Sequence, residues 1–232
     1  GVGKSTNAAI FSVRMAGEGK KVLLNSIDPA HNLHDIFNRK FKQKPVTLLP
    51  GLHVMETDLD HWVKKYLRQT EDAFKESYRY MEALNLHKYF SILKYSPGIE
   101  EYAVLLALED TIRNNPTMDY IVFDTPPTAL TLRFLSLPKV SLLWLRELLS
   151  FRKKIMEKKE IVTKIKRGEK TLVKDPVMKR IEDLIERYTT LESQLYNHSM
   201  TSVIVVLNND PLSLSESKDI YRELRELGMN IP

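Results

Sequence analysis

The first six residues, Gly-Val-Gly-Lys-Ser-Thr, have the types and spacing of a loop that wraps around phosphate. Gly1 and Gly3 would let the backbone come close to a phosphate and direct N–H groups at it. Lys4 supplies a positive charge for the β- and γ-phosphates, and Ser5 carries a hydroxyl suited to Mg²⁺. The full phosphate-loop motif has a further glycine upstream, so these residues match part of it.

Two aspartates lie where such a loop would need them. Asp28 ends the apolar run Lys20–Asp28, and Asp124 ends the apolar run Tyr120–Asp124. Carboxyl ends of parallel strands face the crevice in which open α/β sheets bind ligands. There, one carboxylate can hold Mg²⁺ and a second can orient an attacking water. Either aspartate alone could instead cap a turn, but the order of loop and two carboxylates favours phosphoryl chemistry.

The elements that must position these residues alternate along the chain. Apolar, β-rich runs predict strands at Lys20–Asp28, Leu52–Asp58, Tyr120–Asp124 and Ser202–Asn208. Helical periodicity predicts helices after the loop and at Leu59–Leu84, Ile99–Ile112 and Ser213–Leu227, the last closed by Gly228. The alternation predicts an α/β fold, with a mostly parallel sheet and helices on both faces. Residues 141–198, broken near Gly168 and at Asp175–Pro176, predict a helical subdomain inserted in that sheet.

Composition narrows the function classes. The chain of 232 residues is 43% hydrophobic and 28% charged, which is typical of a globular protein. Its net charge of +5 lies in one segment, because residues 151–170 carry a net +6 and the rest −1. We therefore expect no nucleic-acid partner. The sequence has no cysteine, so it excludes disulfides and thiolate metal sites in these residues and favours an intracellular, cytoplasmic location.

Four motifs together resemble the ArsA family of ATPases. They are GVGKST, IDPAHNLHDIF, PGIEE and DTPPTALTLRFLSLP, and the last 28 residues resemble the family as well. That family has a deviant phosphate loop and two nucleotide-sensing switches, which correspond to the second and fourth motifs. It includes arsenical pump-driving ATPases and ATPases that target tail-anchored membrane proteins. The resemblance extends over the whole chain.

The resemblance implies a P-loop NTPase that hydrolyses ATP with Mg²⁺ in a single ATPase domain, residues 1–232, with the helical subdomain at about 141–198. It implies a homodimer whose partner is a transmembrane-helix client or a membrane pump subunit. It also implies site roles. Lys4 and Asp28 would be catalytic, with Asp28 positioning water, and Ser5 and Asp124 would serve Mg²⁺. The nucleotide contacts would come from Gly1, Val2, Gly3, Lys4, Ser5, Thr6, Pro29 and Asn32, with residues 125–132 relaying nucleotide state.

The chain departs from the family pattern in three places. It begins inside the loop, so the family's signature lysine is not in the sequence. Ala129-Leu130 replaces the Gly-His of the second switch, which removes backbone freedom and a polar contact. It ends at Pro232, before the family's adenine-contacting asparagine and zinc-binding cysteine pair. We expect a fragment truncated at both ends.

Several alternatives remain open at this stage. The cargo could be a tail-anchored protein or a metalloid pump. A ParA/MinD-like positioning ATPase or a nucleotide-dependent binding module with little hydrolysis are other candidates. In the helical region, an apolar groove for a transmembrane helix competes with an ordinary helical core that has a solvated basic face. The groove would be lined by Leu142, Leu145, Leu149, Met156 and Ile165.

Overall fold

A computed structural model describes residues 2–30, 32–77, 96, 98–167 and 175–232, with side chains as far as 72 in the second of these ranges and 158 in the fourth. Four strands are assigned in it: β1 (Val22–Ser26), β2 (Val46–Leu49), β3 (Leu52–Glu56) and β4 (Tyr120–Asp124). Seven helices are assigned in the same residues: α1 (Lys4–Gly17), α2 (Leu33–Phe37), α3 (Leu59–Ser77), α4 (Ile99–Asn114), α5 (Thr128–Arg167), α6 (Pro176–Leu195) and α7 (Pro211–Leu227).

The strands form one sheet in the order β2-β3-β1-β4. β1 lies between β3 and β4 and runs parallel to both, while β2 pairs antiparallel with β3. This confirms the predicted mostly parallel α/β sheet. The hairpin strand β2 was not predicted, because it has only four residues, VTLL, and so gives too short a pattern.

Successive side chains of β1 contact helices on opposite faces of the sheet. Val22 and Leu24 pack with Ala9 and Ala16 of α1 in one core cluster. The side chain of Asn25 points the other way and donates to Thr111 of α4 at 3.0 Å. Since successive side chains of a strand alternate between faces, α1 and α4 cover opposite sides of the sheet. β1 is buried along its whole length, as a central parallel strand should be.

A second core joins the helices. It contains Leu105 of α4, Phe134 of α5, Leu191 of α6 and Leu224 of α7, all nearly inaccessible to solvent. Because α5 begins only four residues after β4, this core connects the carboxyl end of the sheet to the helical region.

The strand predicted at Ser202–Asn208 is wrong: these residues have no strand assignment. A β-rich composition forms a strand only where a neighbouring strand supplies ladder hydrogen bonds. Within the described sheet, β1, β2 and β3 pair only with one another and β4, and Val203 instead donates its amide to the carbonyl of Asn230 at 2.8 Å. The segment lines a shallow apolar groove with α7, and no residue predicted to bind nucleotide lines that groove.

The helix boundaries predicted at Asp175–Pro176 and Gly228 are confirmed. Asp175 caps α6 by accepting the amide of Val177, with Pro176 in the first turn, and Gly228 closes α7 with φ 82°. The predicted Leu59–Leu84 helix is described as far as Ser77, and Gly168 lies outside the described residues. The helical region starts at Thr128, before the predicted 141, because α5 begins four residues after β4 and continues without a break past residue 141.

The groove predicted along α5 has the wrong residues. Leu142 is buried, and Leu145, Leu149 and Met156 are half-buried on the side of α5 that faces the other helices; the side chain of Ile165 lies outside the described set. The exposed apolar residues follow a different stripe of the same helix. Among the helices of the described residues, none is long and apolar enough to cross a membrane.

Candidate functional site

The N-terminus of α1 has the geometry of a phosphate site. Gly3 precedes α1 with φ 85° and ψ 26°, a left-handed conformation that glycine adopts without strain. The first amides of a helix have no partner within it, and no side chain of the described residues caps this one. These amides and the helix dipole favour an anion at this position. Val2, Lys4 and Thr6 surround the turn, while Gly1 lies outside the described residues.

Ser5 and Lys4 begin α1 on the side of the sheet that carries Asp124. Ser5 is buried, whereas Lys4 is half-buried. Both lie close enough to the Asp124 carboxylate to lower its pKa, Ser5 through its nearby hydroxyl and Lys4 through its positive charge. The predicted phosphate loop and the second predicted aspartate are therefore next to each other in space.

Asp124 is the last residue of β4, and it is 1% exposed. Its register partner on β1 is Ser26, whose hydroxyl donates to Oδ2 of Asp124 at 3.0 Å. The other carboxylate oxygen, Oδ1, is buried and has no hydrogen-bond partner among the described residues. A buried acceptor without a donor is costly, and such atoms are commonly kept for a ligand.

Burial raises the pKa of Asp124 above its usual value. The hydroxyls of Ser5 and Ser26 lower it, the negative charge of Asp28 raises it, and the positive charge of Lys4 lowers it. The dominant cause is loss of water around the charged form. A bound cation would offset that cost directly.

The residues at this point fit Mg²⁺. Mg²⁺ prefers hard oxygen ligands and is usually held by one or two carboxylates together with phosphates and water. The buried free Oδ1 of Asp124 and the hydroxyl of Ser5 are ligands of this kind. Within the described residues, no cluster of three or more His, Cys, Asp or Glu could hold a metal by itself. The site therefore suits a metal that arrives with a phosphate ligand.

Asp28 lies two residues beyond the end of β1 and is largely buried. Its Oδ1 accepts the amide of Ala30 at 3.0 Å, which is the turn interaction that the sequence offered as the alternative role. Asp28 is nevertheless near enough to Asp124 to influence its pKa. Pro29 is exposed, and Asn32 is half-buried just before α2.

The residues that the resemblance assigns to a second switch, 125–132, include the start of α5. The carbonyl of Pro126 accepts the hydroxyl of Thr131 at 2.9 Å, and that of Pro127 accepts the amide of Leu130 at 3.0 Å. Ala129 lies in the first helical turn without a positive φ, and Leu130 packs against the helical core. The replaced Gly-His pair thus becomes an ordinary helical turn anchored to that core.

Sequence reasoning missed the polar residues of β1. Ser26 contacts Asp124 on the α1 side, and Asn25 links Thr57 and Thr111 on the α4 side. All five of these residues are buried. The available signal was their position: two polar residues at the end of an otherwise apolar strand, on alternating faces and just before Asp28.

Comparison with known proteins supports the same family. The family described as "Anion-transporting ATPase" matches residues 1–232. A putative arsenical pump-driving ATPase 2 of Aquifex aeolicus is 31% identical over 232 residues, covering 100% of this chain and 74% of the relative. A putative arsenical pump-driving ATPase 1 of that bacterium is 31% identical, covering 100% of this chain and 59% of the relative. The ATPase GET3 of Malassezia globosa is 30% identical, covering 99% of this chain and 67% of the relative.

Proposed function

This chain belongs to the ArsA family of anion-transporting ATPases and is an ATPase of that type, and from this premise we propose that it binds MgATP at the start of α1 and uses hydrolysis to control the binding of an apolar client helix along α5. The proposal has two parts, the nucleotide site and the client surface.

At the nucleotide site, the amides of the first turn of α1 and Lys4 hold the β- and γ-phosphates. Ser5 and Asp124 would hold the Mg²⁺, which would supply positive charge to the transferring phosphoryl group. Asp28 orients the water that attacks it, with Pro29 and Asn32 in the same switch. Phosphoryl transfer depends mainly on such positioning and charge stabilisation, so few further groups are needed.

One observation carries the client surface: α5 presents a continuous stripe of exposed apolar side chains. Trp144 is 67% exposed and Phe151 is 63% exposed. We define the α5 stripe as the exposed apolar residues that share this face, namely Val140, Trp144, Leu148, Phe151 and Ile155. Their spacings of three and four residues place them on one side of the helix.

Contiguous exposed apolar patches mark interaction surfaces, whereas single exposed apolar residues are common on any protein. A stripe with three- and four-residue spacing suits an apolar helix laid alongside it. The opposite side of α5 is already occupied, because Leu142 packs in the interior and α5 contacts both α4 and α6. Any client must therefore approach from the stripe.

The same helix begins in the second switch, so nucleotide state has a direct mechanical path to the stripe. Thr128 starts α5 and Trp144 lies sixteen residues along it, about 24 Å at 1.5 Å per residue. A small tilt at the first turn would displace the stripe several-fold further. Loss of the γ-phosphate contacts on hydrolysis is a known means of relaxing such switch segments.

The test is capture of a tail-anchored protein by the full-length protein, with Trp144→Asp and Phe151→Asp as stripe variants. Ser150→Asp adds the same charge to an exposed position on α5 away from the stripe, and it is the matched control. We expect both stripe variants to lose capture and the control to keep it. All three should hydrolyse ATP within about twofold of wild type, because surface changes remote from the site have small effects.

The alternative function, energising a metalloid pump, predicts a different result. If the α5 stripe is only a solvated helix face, the stripe variants and Ser150→Asp will capture the client equally or not at all. Stimulation of wild-type hydrolysis by arsenite, unchanged in Trp144→Asp, would then favour the pump function. That outcome would overturn the client surface while leaving the nucleotide site intact.

A further inference from the structure

We propose that Ser26 is a positioning residue for the metal site: its hydroxyl holds Oδ2 of Asp124, so that Oδ1 stays directed to the Mg²⁺ that accompanies ATP. The inference rests on the metal role given above to Asp124. It assigns to β1 a function that neither the phosphate loop nor the two switches supply.

The contact is specific in its geometry. Ser26 and Asp124 are register partners on two parallel strands, so their side chains project from the same face of the sheet. The hydroxyl-to-Oδ2 distance is 3.0 Å, and both side chains are almost fully buried. Neither group has solvent to compete for the bond.

The backbone of Ser26 is held by hydrogen bonds of its own, separate from the bond that its hydroxyl donates to Asp124. Its carbonyl accepts the amide of Thr57 at 2.8 Å, and the residue forms part of the β1 ladder. The strand is thereby fixed on both sides, and the position of the hydroxyl is fixed with it. A rigid donor gives the carboxylate a single orientation at no further entropic cost on metal binding.

The two oxygens of Asp124 are consequently not equivalent. Oδ2 has a donor, whereas Oδ1 is buried without a hydrogen-bond partner among the described residues. Groups that orient a metal ligand from behind contribute strongly to affinity, and their loss typically weakens metal binding about 10- to 100-fold. Without Ser26, the carboxylate could turn and lose that preorientation.

The test uses full-length protein and calorimetric titration of ADP, once with Mg²⁺ and once with EDTA. The ratio of the two affinities isolates the contribution of the metal. We expect Ser26→Ala to reduce that ratio about tenfold or more, by the loss typical of such partners. Its affinity for ADP in EDTA should remain within about twofold of wild type, because Ser26 does not reach the phosphate amides.

Two further variants separate positioning from packing. Ser12→Ala removes another buried hydroxyl, which bonds the carbonyl of Ala8 at 2.7 Å within α1, and it should leave the ratio unchanged. Ser26→Thr keeps the hydroxyl and should retain most of the metal contribution. A wild-type ratio in Ser26→Ala, an equal loss in Ser12→Ala, or no retention in Ser26→Thr would each overturn the inference.

Failure of the underlying site is distinguishable from failure of the inference. Asp124→Ala should abolish the effect of Mg²⁺ on ADP affinity. If wild type itself shows no Mg²⁺ effect, or if Asp124→Ala keeps it, the proposed metal site is wrong. If Asp124→Ala loses the effect and Ser26→Ala keeps it, only the positioning role of Ser26 is wrong.

Discussion

Buried charge is paired differently at the carboxyl end of the sheet and among the helices α4, α5 and α6. At the sheet, the buried Asp124 keeps one oxygen without a donor among the described residues. Between the helices, Asp175 is bound by Arg152, with the Nε to Oδ2 distance at 2.6 Å, and Glu109 is bound by Arg187 at 2.7 and 2.8 Å.

The treatment of apolar surface is reversed as well. Side chains around the sheet end are buried, whereas α5 exposes Trp144 and its neighbours on the stripe. The sheet end has a carboxylate oxygen that MgATP would neutralise. Helix α5 has an exposed apolar surface that a client would cover. The following predictions test this contrast, from the largest expected effect to the smallest.

Asp28→Asn should reduce the rate of ATP hydrolysis by about 10²- to 10⁴-fold, the range for losing a group that handles the attacking nucleophile. The amide oxygen of Asn can still accept the amide of Ala30, so the turn should survive. Steady-state hydrolysis by full-length protein measures the effect. Asp219→Asn, at an exposed ion pair on α7, is the control and should retain full activity. Equal rates for Asp28→Asn and wild type would remove Asp28 from the catalytic role.

Arg187→Met should lower the free energy of unfolding by about 2–3 kcal/mol, somewhat less than the loss for a fully buried pair because both side chains keep some solvent contact. The cause is that Glu109 would remain largely buried with an uncompensated charge. Urea denaturation measures it. Adding Glu109→Leu to Arg187→Met should recover much of the loss, and an additive loss would contradict this explanation.

Asp175→Asn should lower the free energy of unfolding by about 1.5–2 kcal/mol at pH 7, the lower end for hydrogen bonds to charged groups, because Arg152 is partly exposed. The Arg152 guanidinium holds the pKa of Asp175 below its usual value, so its stabilisation is complete above the unfolded pKa of about 3.9. It is lost as the pH falls through the lower folded pKa.

Asn can still cap α6 by accepting the amide of Val177, so the comparison isolates the charge. Unfolding of wild type and Asp175→Asn, measured from pH 7 down to pH 2, should therefore converge. A difference that stays constant with pH would show that packing, rather than ionisation, is responsible.

In nucleotide-free protein, Asp124→Asn should not lower the free energy of unfolding as Asp175→Asn does. Burial raises the pKa of Asp124, which means that its ionised form costs stability at neutral pH. Replacing it by a neutral amide should leave the free energy of unfolding unchanged or raise it by up to about 1 kcal/mol, by comparison with replacing uncompensated polar groups. Thermal unfolding in EDTA measures this. A loss as large as that of Asp175→Asn would contradict the contrast between the two regions.

The smallest effect is expected on the α5 stripe. Leu148→Ala should change the free energy of unfolding by less than about 0.5 kcal/mol, as exposed substitutions do. Leu142→Ala, six residues earlier on the buried side of α5, should cost about 2–5 kcal/mol. Parallel denaturation of the two variants measures the difference. Similar losses would mean that the stripe is covered in solution.

Much of the site was predictable because its residues occur in short sequence patterns that indicate helix starts and strand ends. Gly3 needs a positive φ at the start of α1, and Asp124 ends a strand, so sequence alone placed both at the correct edge of the sheet. Asp175 and Gly228 were recognisable as boundaries because caps follow from side-chain chemistry and backbone freedom. The family resemblance added the switch roles, which no periodicity could supply.

Other features depended on what lies across the fold. Ser202–Asn208 has the composition of a strand but no ladder partner in the described sheet, and composition cannot report a partner. Along α5, Leu142 and Trp144 are equally apolar in sequence, yet one is buried and the other exposed. Which side of a long apolar helix is covered is decided by its neighbours.

The sequence by itself identified the family through its motifs. It also determined the glycine before α1, the aspartates that follow two strands and the α/β architecture. These follow from short-range rules, since backbone conformation and alternating strand faces depend on adjacent residues. Only the tertiary structure decided that Ser26 bonds Asp124 and that the α5 stripe faces outward. It also decided that one oxygen of that carboxylate has no hydrogen-bond partner among the described residues. Those depend on register between distant strands and on helix packing, where residues about one hundred positions apart in the chain become neighbours in space.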